Sequence, residues 1–198
     1  MTANRSSVPV DRSDAANEAG PTDRTAPRFV AAGAGRMGRS IALAFAWAGH
    51  RISLVDLKVR SAPERERLAA EVDSELRANL AALVDLGALD AALVPGLLER
   101  IELVDSDRAP LALASAELVF EGLPETLDAK REAFALLSRH CPPDAILTST
   151  TSSILVTEIA PLVSHPERFL NIHWLNPAYL IPVVELSVHA GTSADVLA

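Results

Sequence analysis

Short apolar runs alternate along the chain with longer stretches in which apolar residues recur every three or four positions. The runs predict buried β-strands and the stretches predict amphipathic helices. Strands are predicted at 28–32, 51–56, 100–104, 117–122, 145–148, 169–174 and 182–188. Helices are predicted at 39–47, 64–86, 89–99, 111–114, 130–138 and 156–162. Because the two alternate, we expect parallel strands joined by right-handed helical crossovers.

A glycine-rich segment joins the first predicted strand to the first helix. Its residues are Gly33, Ala34, Gly35, Arg36, Met37 and Gly38. In such a segment the first glycine permits a tight turn, the second lets the backbone approach a pyrophosphate, and the third lets helix pack on strand. The phosphates would lie at the helix N-terminus. The segment favours a Rossmann-type, doubly wound, mainly parallel α/β sheet, and the alternative is an ordinary tight turn.

Asp56 ends the second predicted strand, about twenty residues after the glycines, where a ribose-binding carboxylate is expected. An acid there hydrogen-bonds a 2′-hydroxyl and repels a 2′-phosphate, which favours NAD over NADP. Lys58 and Arg60 follow closely and leave room for use of both cofactors. The alternative is a solvated acid at a strand end.

Other polar residues follow later strands, at the sheet edge where open parallel sheets bind ligands. Glu125 and Lys130 come after the fourth strand, and Ser152 lies in the hydroxyl-rich segment 149–153 after the fifth. Ser152 is placed to hydrogen-bond a substrate oxygen. The alternatives are a helix-start acid, a surface lysine and a helix cap.

His173 and Glu185 lie on two predicted strands that Asn176-Pro177 separates. This layout can bring an imidazole into contact with a carboxylate. A carboxylate that accepts the proton of one ring nitrogen leaves the other free to take a proton from a substrate hydroxyl, as a dehydrogenase requires. The alternative is a structural histidine at a strand end.

Composition narrows the classes of partner. The net charge of −8 argues against binding to nucleic acid or anionic lipid. No apolar stretch is long enough to span a membrane, and the scattered histidines predict no metal site. A lone cysteine, Cys141, fits a reducing cytoplasm. Residues 1–27 lack apolar periodicity and predict a disordered tail, so one folded domain is expected over 28–198.

Taken in order, these motifs resemble the NAD-binding domain of the L-3-hydroxyacyl-CoA dehydrogenase family, from about Arg28 onward. The matching segments are 33–42, 48–50, 123–130, 151–153, 172–177 and 184–185. The resemblance implies NAD as the cofactor, contacted by Gly33, Gly35, Gly38, Asp56, Glu125, Lys130, Ser152 and Asn176. It also implies that His173 is the catalytic base, that Glu185 orients it, and that Ser152 touches the substrate.

Several positions depart from the acyl-CoA members of that family. Thr150 stands where they have Asn, and Pro182 where they have a basic residue. The long helix offers Glu75 and Ala82 where they offer Ser and Lys to CoA. In these features the chain resembles the branch of lambda-crystallin, gulonate dehydrogenase and carnitine dehydrogenase, which oxidises small 3-hydroxy acids without CoA.

Members of the family continue into an all-helical domain that closes over the substrate and forms the dimer, whereas this sequence ends at Ala198. We therefore expect a Rossmann domain lacking that helical domain, which either works with a separately encoded helical dimerisation domain or turns over little. The expected activity is NAD-dependent oxidation of an L-3-hydroxyacyl-CoA to the 3-oxoacyl-CoA, as in fatty-acid metabolism. The alternatives are a dehydrogenase of a small free 3-hydroxy acid and a non-catalytic NAD-binding protein.

Overall fold

The computed structural model describes residues 28–181 and 183–198. The tail predicted at 1–27 and the strand residue Pro182 lie outside the described residues. The described strands are β1 Phe29–Ala32, β2 Ile52–Val55, β3 Ile101–Val104, β4 Leu118–Glu121, β5 Ile146–Ser149, β6 Phe169–Trp174 and β7 Val184–Ser187. The described α-helices are α1 Arg36–Trp47, α2 Ala62–Asp85, α3 Val94–Glu99, α4 Ala109–Leu113, α5 Leu127–His140 and α6 Val156–Ile159.

The strands form one sheet in the order β3-β2-β1-β4-β5-β6-β7. Neighbours are parallel from β3 to β6, and β7 is antiparallel to β6. This confirms the predicted doubly wound, mainly parallel fold. The strand order reverses between β1 and β4, so ligands are expected at the carboxyl ends of these two strands.

Apolar side chains cover both faces of the sheet, because successive residues of a strand point to opposite sides. Val30 packs on one face in a core that includes Phe134 of α5. Its neighbour Ala31 faces the other side, in a core that includes Ile41 of α1 and Leu80 of α2. Helices on both faces therefore fix the strand ends that carry the candidate site.

Local capping explains where several helices differ from the predicted bounds. Helix α5 begins before Lys130 because the Thr126 hydroxyl accepts a hydrogen bond from an amide of its first turn. Helix α2 begins at Ala62, where the Glu64 carboxylate accepts from the Ser61 amide at 2.8 Å. Pro95 lies in the first turn of α3 and does not interrupt a longer helix.

Candidate active site

The turn between β1 and α1 requires two of its glycines for internal reasons. Gly33 has a φ of +117°, which side chains rarely adopt. A Cβ on Gly38 would lie 1.9 Å from the Gly33 carbonyl oxygen. A Cβ on Gly35, in contrast, would meet no atom within 4 Å. Space is thus left open beside Gly35, at the N-terminus of α1, where the phosphates of a dinucleotide fit.

Arg39, which the sequence analysis did not single out, holds this turn against α2. Its side chain is buried, and its Nε donates to the Ala34 carbonyl at 2.8 Å. Nη2 donates to Glu71 at 2.9 Å, and Nη1 donates to Glu75. Charge-assisted hydrogen bonds of this kind are among the stronger ones, so the turn has little freedom to rearrange.

A cavity of about 740 Å³ opens in front of the glycine turn. Its volume falls within the range of small-molecule sites, roughly 300–1,000 Å³. Asp56 lines one part of it, and Leu123 and Asn176 line another. His173, Glu185 and Ser152 lie outside this lining. The cavity therefore gathers the predicted cofactor residues of the glycine turn, the end of β2 and the loop after β6. The other predicted cofactor residues do not line it, and neither do the predicted catalytic residues; the former are Gly38, Glu125, Lys130 and Ser152.

Asp56 follows β2 and is nearly buried, with 7% of its side chain exposed. Arg60 Nε donates to its Oδ2 at 2.5 Å, and Arg60 Nη2 donates to Oδ1 at 3.5 Å. The hydrogen bond to Asp56 raises the pKa of Arg60 above its ordinary value. The alternative of a solvated strand-end acid is therefore wrong, since the acid lies in the cavity wall and is paired.

Lys130 forms a buried ion pair with Glu121, the last residue of β4. Both side chains have 0% exposure, and their Nζ and Oε1 atoms are 2.9 Å apart. Lys130 also donates to the Leu123 carbonyl at 3.1 Å, and Ser149 donates to Glu121 Oε2 at 2.8 Å. The surface-lysine alternative is wrong. The predicted direct contact of Lys130 with NAD is not supported either, because Lys130 has no exposed surface. The Lys130–Glu121 pair instead fixes the turn that carries Leu123.

Glu125 draws the hydroxyl-rich segment towards α5. Its Oε1 accepts from Thr151 Oγ1 at 2.5 Å, from the Ser152 amide at 2.8 Å and from Ser153 Oγ at 3.0 Å. Partial burial opposes the carboxylate charge, but these hydrogen bonds outweigh it and lower the pKa of Glu125 to about 2. The alternative of a helix cap is wrong, since α6 follows Leu155, which makes no side-chain cap.

His173 and Glu185 meet as the sequence predicts. They are register partners on β6 and β7, and His173 Nδ1 lies 2.7 Å from Glu185 Oε2. The imidazole is 25% exposed and the carboxylate 65% exposed. Because Nδ1 is the hydrogen-bonded nitrogen, Nε2 is the one left to exchange a proton with a ligand.

The loop after β6 connects this pair to the cofactor cavity. Asn176, whose peptide bond to Pro177 is cis, lines the cavity. The Ala178 amide donates to Ser40 Oγ of α1 at 2.7 Å. The loop that leaves the histidine strand is therefore tied to the helix whose N-terminus faces the cavity.

Within residues 28–181 and 183–198, no three His, Cys, Asp or Glu side chains gather as a metal site would require. Over the same residues, no helix combines the length and apolarity needed to cross a bilayer.

A cavity at the strand-order reversal, a glycine turn with an open face and a nearby imidazole–carboxylate pair define the class of Rossmann-type dinucleotide-binding domains of oxidoreductases. Residues 29–198 match the family described as 3-hydroxyacyl-CoA dehydrogenase, NAD binding domain. The chain belongs to this family. The family resemblance and the NAD cofactor predicted from the sequence are thereby confirmed.

Individual relatives agree with this assignment. The chain is 36% identical over 165 residues to 3-hydroxyadipyl-CoA dehydrogenase of Escherichia coli K12, covering 83% of this chain and 33% of that protein. It is 32% identical over 176 residues to the lambda-crystallin homolog of Bos taurus, covering 85% of this chain and 50% of that protein. The crystal structure of 3-hydroxybutyryl-CoA dehydrogenase from Escherichia coli K12 matches with a TM-score of 0.75 and 35% identity, covering 86% of this chain and 34% of that one. The chain thus spans between a third and a half of the length of these relatives.

Proposed function

We propose that the chain binds NAD in the cavity in front of the glycine turn. The amides at the N-terminus of α1 would hold the phosphates beside Gly35, and Asp56 would bind the adenosine ribose. Asn176 and the turn at Leu123 line the opposite part of the cavity and would hold the nicotinamide end. The open face at Gly35 supports this assignment, because a glycine is needed there only if something must come close.

We further propose that the chain carries the catalytic base of a 3-hydroxyacyl dehydrogenase. The hydrogen bond between His173 Nδ1 and Glu185 Oε2 is the observation that carries this proposal. It orients the ring and stabilises the charge that the imidazole gains when Nε2 takes the proton of the substrate hydroxyl. NAD, when bound, would accept the hydride from the carbon that bears this hydroxyl.

Glu125 positions Ser152 in this proposal. The carboxylate accepts from the backbone and the hydroxyl groups of the segment, so Ser152 is held at the carboxyl end of β5. Ser152 is exposed, and because its hydroxyl proton is donated to Glu125, its oxygen can accept a hydrogen bond from a substrate hydroxyl. Lys130 stabilises the Glu125 carboxylate in this position, because its Nζ lies 3.7 Å from Glu125 Oε2.

The proposed substrate is an L-3-hydroxyacyl-CoA, the class of compound that the family description and the E. coli relative indicate. A small free 3-hydroxy acid is the second candidate, favoured by the similarity to the bovine lambda-crystallin homolog. It is also favoured by α2, where Glu75 and Ala82 stand in place of the Ser and Lys that acyl-CoA members offer to CoA, and where Glu75 is paired with Arg39.

We also propose that turnover needs a helical domain beyond residues 28–198, in this or another chain, to close over the substrate. Exposed apolar side chains in β7 and beside it support a covered surface there; they are Leu180, Val183, Val184, Leu186 and Val188. Clusters of exposed apolar residues are typical of surfaces that another domain covers.

Two measurements test the proposal. Fluorescence titration of the chain with NADH should show saturable binding that Gly35→Val removes, because the new side chain would fill the space beside the turn.

Reduction of acetoacetyl-CoA and oxidation of gulonate or carnitine should then be assayed, with and without the helical domain of a relative. Turnover on the CoA ester supports the first substrate, and turnover on the free acids alone supports the second. NADH binding without turnover on any of them overturns the catalytic proposal.

A further inference from the structure

The carboxylate expected to select NAD does not stand alone in the cavity wall. Three hydrogen bonds reach Asp56: two from Arg60, at 2.5 and 3.5 Å, and one from the Lys58 amide at 3.4 Å. A carboxylate has about four lone-pair positions, so roughly one remains for a ribose hydroxyl. NAD binding is therefore retained, but the charge of Asp56 is largely matched by the guanidinium beside it.

The surroundings of this pair are rich in cations. Arg36, Lys58 and Arg67 line the same cavity as Arg60. Three acids line it: Asp56 is paired with Arg60, Glu71 is paired with Arg39, and Glu64 accepts hydrogen bonds from Ser61. The repulsion that an isolated aspartate exerts on a phosphate is therefore weakened here.

We propose that Arg60 makes the cavity accept NADP(H) as well as NAD(H). Arg60 neutralises Asp56 through Nε and Nη2, which leaves Nη1 free of that pair to donate to a 2′-phosphate. The phosphate is the part of the ligand that distinguishes the two cofactors, so Arg60 is the residue that sets the ratio of their affinities. This inference rests on the proposed placement of the dinucleotide in the cavity.

The chain provides a matched control for Arg60. Arg77 and Asp73 form a second arginine–aspartate pair with the same sequence separation, at 2.8 Å, on the exposed face of α2. Replacement of either arginine by glutamine removes one charge and breaks one such pair. Only Arg60 lines the cavity among these two.

Dissociation constants for NADH and NADPH are to be measured by fluorescence titration on the full chain and on Arg60→Gln and Arg77→Gln. We expect the parent chain to bind NADPH within about tenfold of NADH, since one ion pair shifts a balance by roughly that factor. Arg60→Gln should raise the ratio of the NADPH to the NADH constant by about tenfold or more. Arg77→Gln should leave the ratio unchanged.

Asp56→Asn gives an independent readout. It removes the buried carboxylate itself, whereas Arg60→Gln leaves that carboxylate without its partner. It frees Arg60 for the phosphate, so the ratio should fall below that of the parent chain. Displacement by adenosine 2′,5′-bisphosphate and by 5′-AMP should show the same changes, because these fragments lack the nicotinamide.

The outcomes separate this inference from the proposed function. If the parent chain binds neither NADH nor NADPH, the placement of the dinucleotide is wrong and both fail. If it binds NADH but the ratio exceeds about a hundredfold, or is the same in Arg60→Gln, Asp56→Asn and the parent, only the role of Arg60 is overturned.

Discussion

The two ends of the candidate site are built in opposite ways. At the cofactor end, Arg39, Asp56 and Lys130 are buried, and each is paired with an oppositely charged side chain. At the other end, every side chain of β7 is exposed, and Glu185 of β7 contacts His173 of the neighbouring strand β6. The buried ion pairs at the cofactor end therefore contribute to the free energy of unfolding of the domain. The imidazole–carboxylate pair depends on strand register and can be changed at little cost to folding.

The largest effect is expected on turnover, from replacing His173 in the exposed imidazole–carboxylate pair. In an assembly that turns over, His173→Ala should lower kcat by about a hundredfold to ten-thousandfold, the usual contribution of a general base. NADH affinity and the melting temperature should stay near those of the parent chain. His165→Ala is the matched control, since His165 forms an exposed pair with Glu167 at 3.2 Å. Unchanged turnover in His173→Ala would assign the histidine a structural role.

At the cofactor end, Lys130→Met should lower the free energy of unfolding by about 3–5 kcal/mol, because it leaves Glu121 buried without its counter-charge. Arg131→Ala changes the adjacent residue, whose pair with Asp128 is exposed, and should cost less than about 1 kcal/mol. Urea denaturation measures both. A similar small cost for the two variants would mean that Glu121 does not need its lysine.

Acid should weaken the Glu125 network. The folded pKa of about 2 lies below the ordinary value of 4.5, so this carboxylate stabilises the fold above pH 4.5 and loses that effect as pH falls towards 2. Between pH 7 and pH 3, the stability advantage of the parent chain over Glu125→Gln should shrink by about 1 kcal/mol, a figure reduced for solvent screening. An advantage that is constant with pH would contradict the hydrogen-bond account.

Substitutions on the exposed strand β7 should change the free energy of unfolding least. Leu186→Thr on β7 should alter the free energy of unfolding by no more than about 0.5 kcal/mol, since Leu186 is 56% exposed. It should also reduce concentration-dependent association, which sedimentation velocity measures, because it removes apolar surface from the patch. A large loss of stability would show that β7 is packed more tightly than its exposure indicates.

The alternation of strands and helices was sufficient to predict the sheet, because each apolar run is short and each helix has one apolar face. The contact of His173 with Glu185 was also predictable, since both sit on adjacent strands joined by a loop. Strand register then placed them directly opposite each other.

The charge pairs could not be predicted in the same way, because no strand pairing sets their side chains opposite each other. Arg39 lies 32 and 36 residues from its partners, and Lys130, nine residues from Glu121, meets it only because α5 packs against the end of β4. A signal for Lys130 was nevertheless present. Lys130, Ala133, Phe134 and Leu137 are spaced by three and four residues, so the lysine falls on the apolar face of α5. Glu121 gave a similar signal as an acid within an apolar run. Arg39 gave less, because its partners on α2 become neighbours only through tertiary packing.

The strand order also bears on how the domain assembles. Within the described sheet, only the neighbours β1 and β4 are not consecutive in the chain, so this pairing closes the longest loop. We expect strands β1–β3 and strands β4–β7 to form as two folding units that join late, along a seam where the Gly122 amide donates to the Ala32 carbonyl at 2.9 Å. The cofactor cavity is lined from both sides of this seam. A bound dinucleotide would therefore hold the two units together, and amide hydrogen exchange should slow in both units at once when NADH is added.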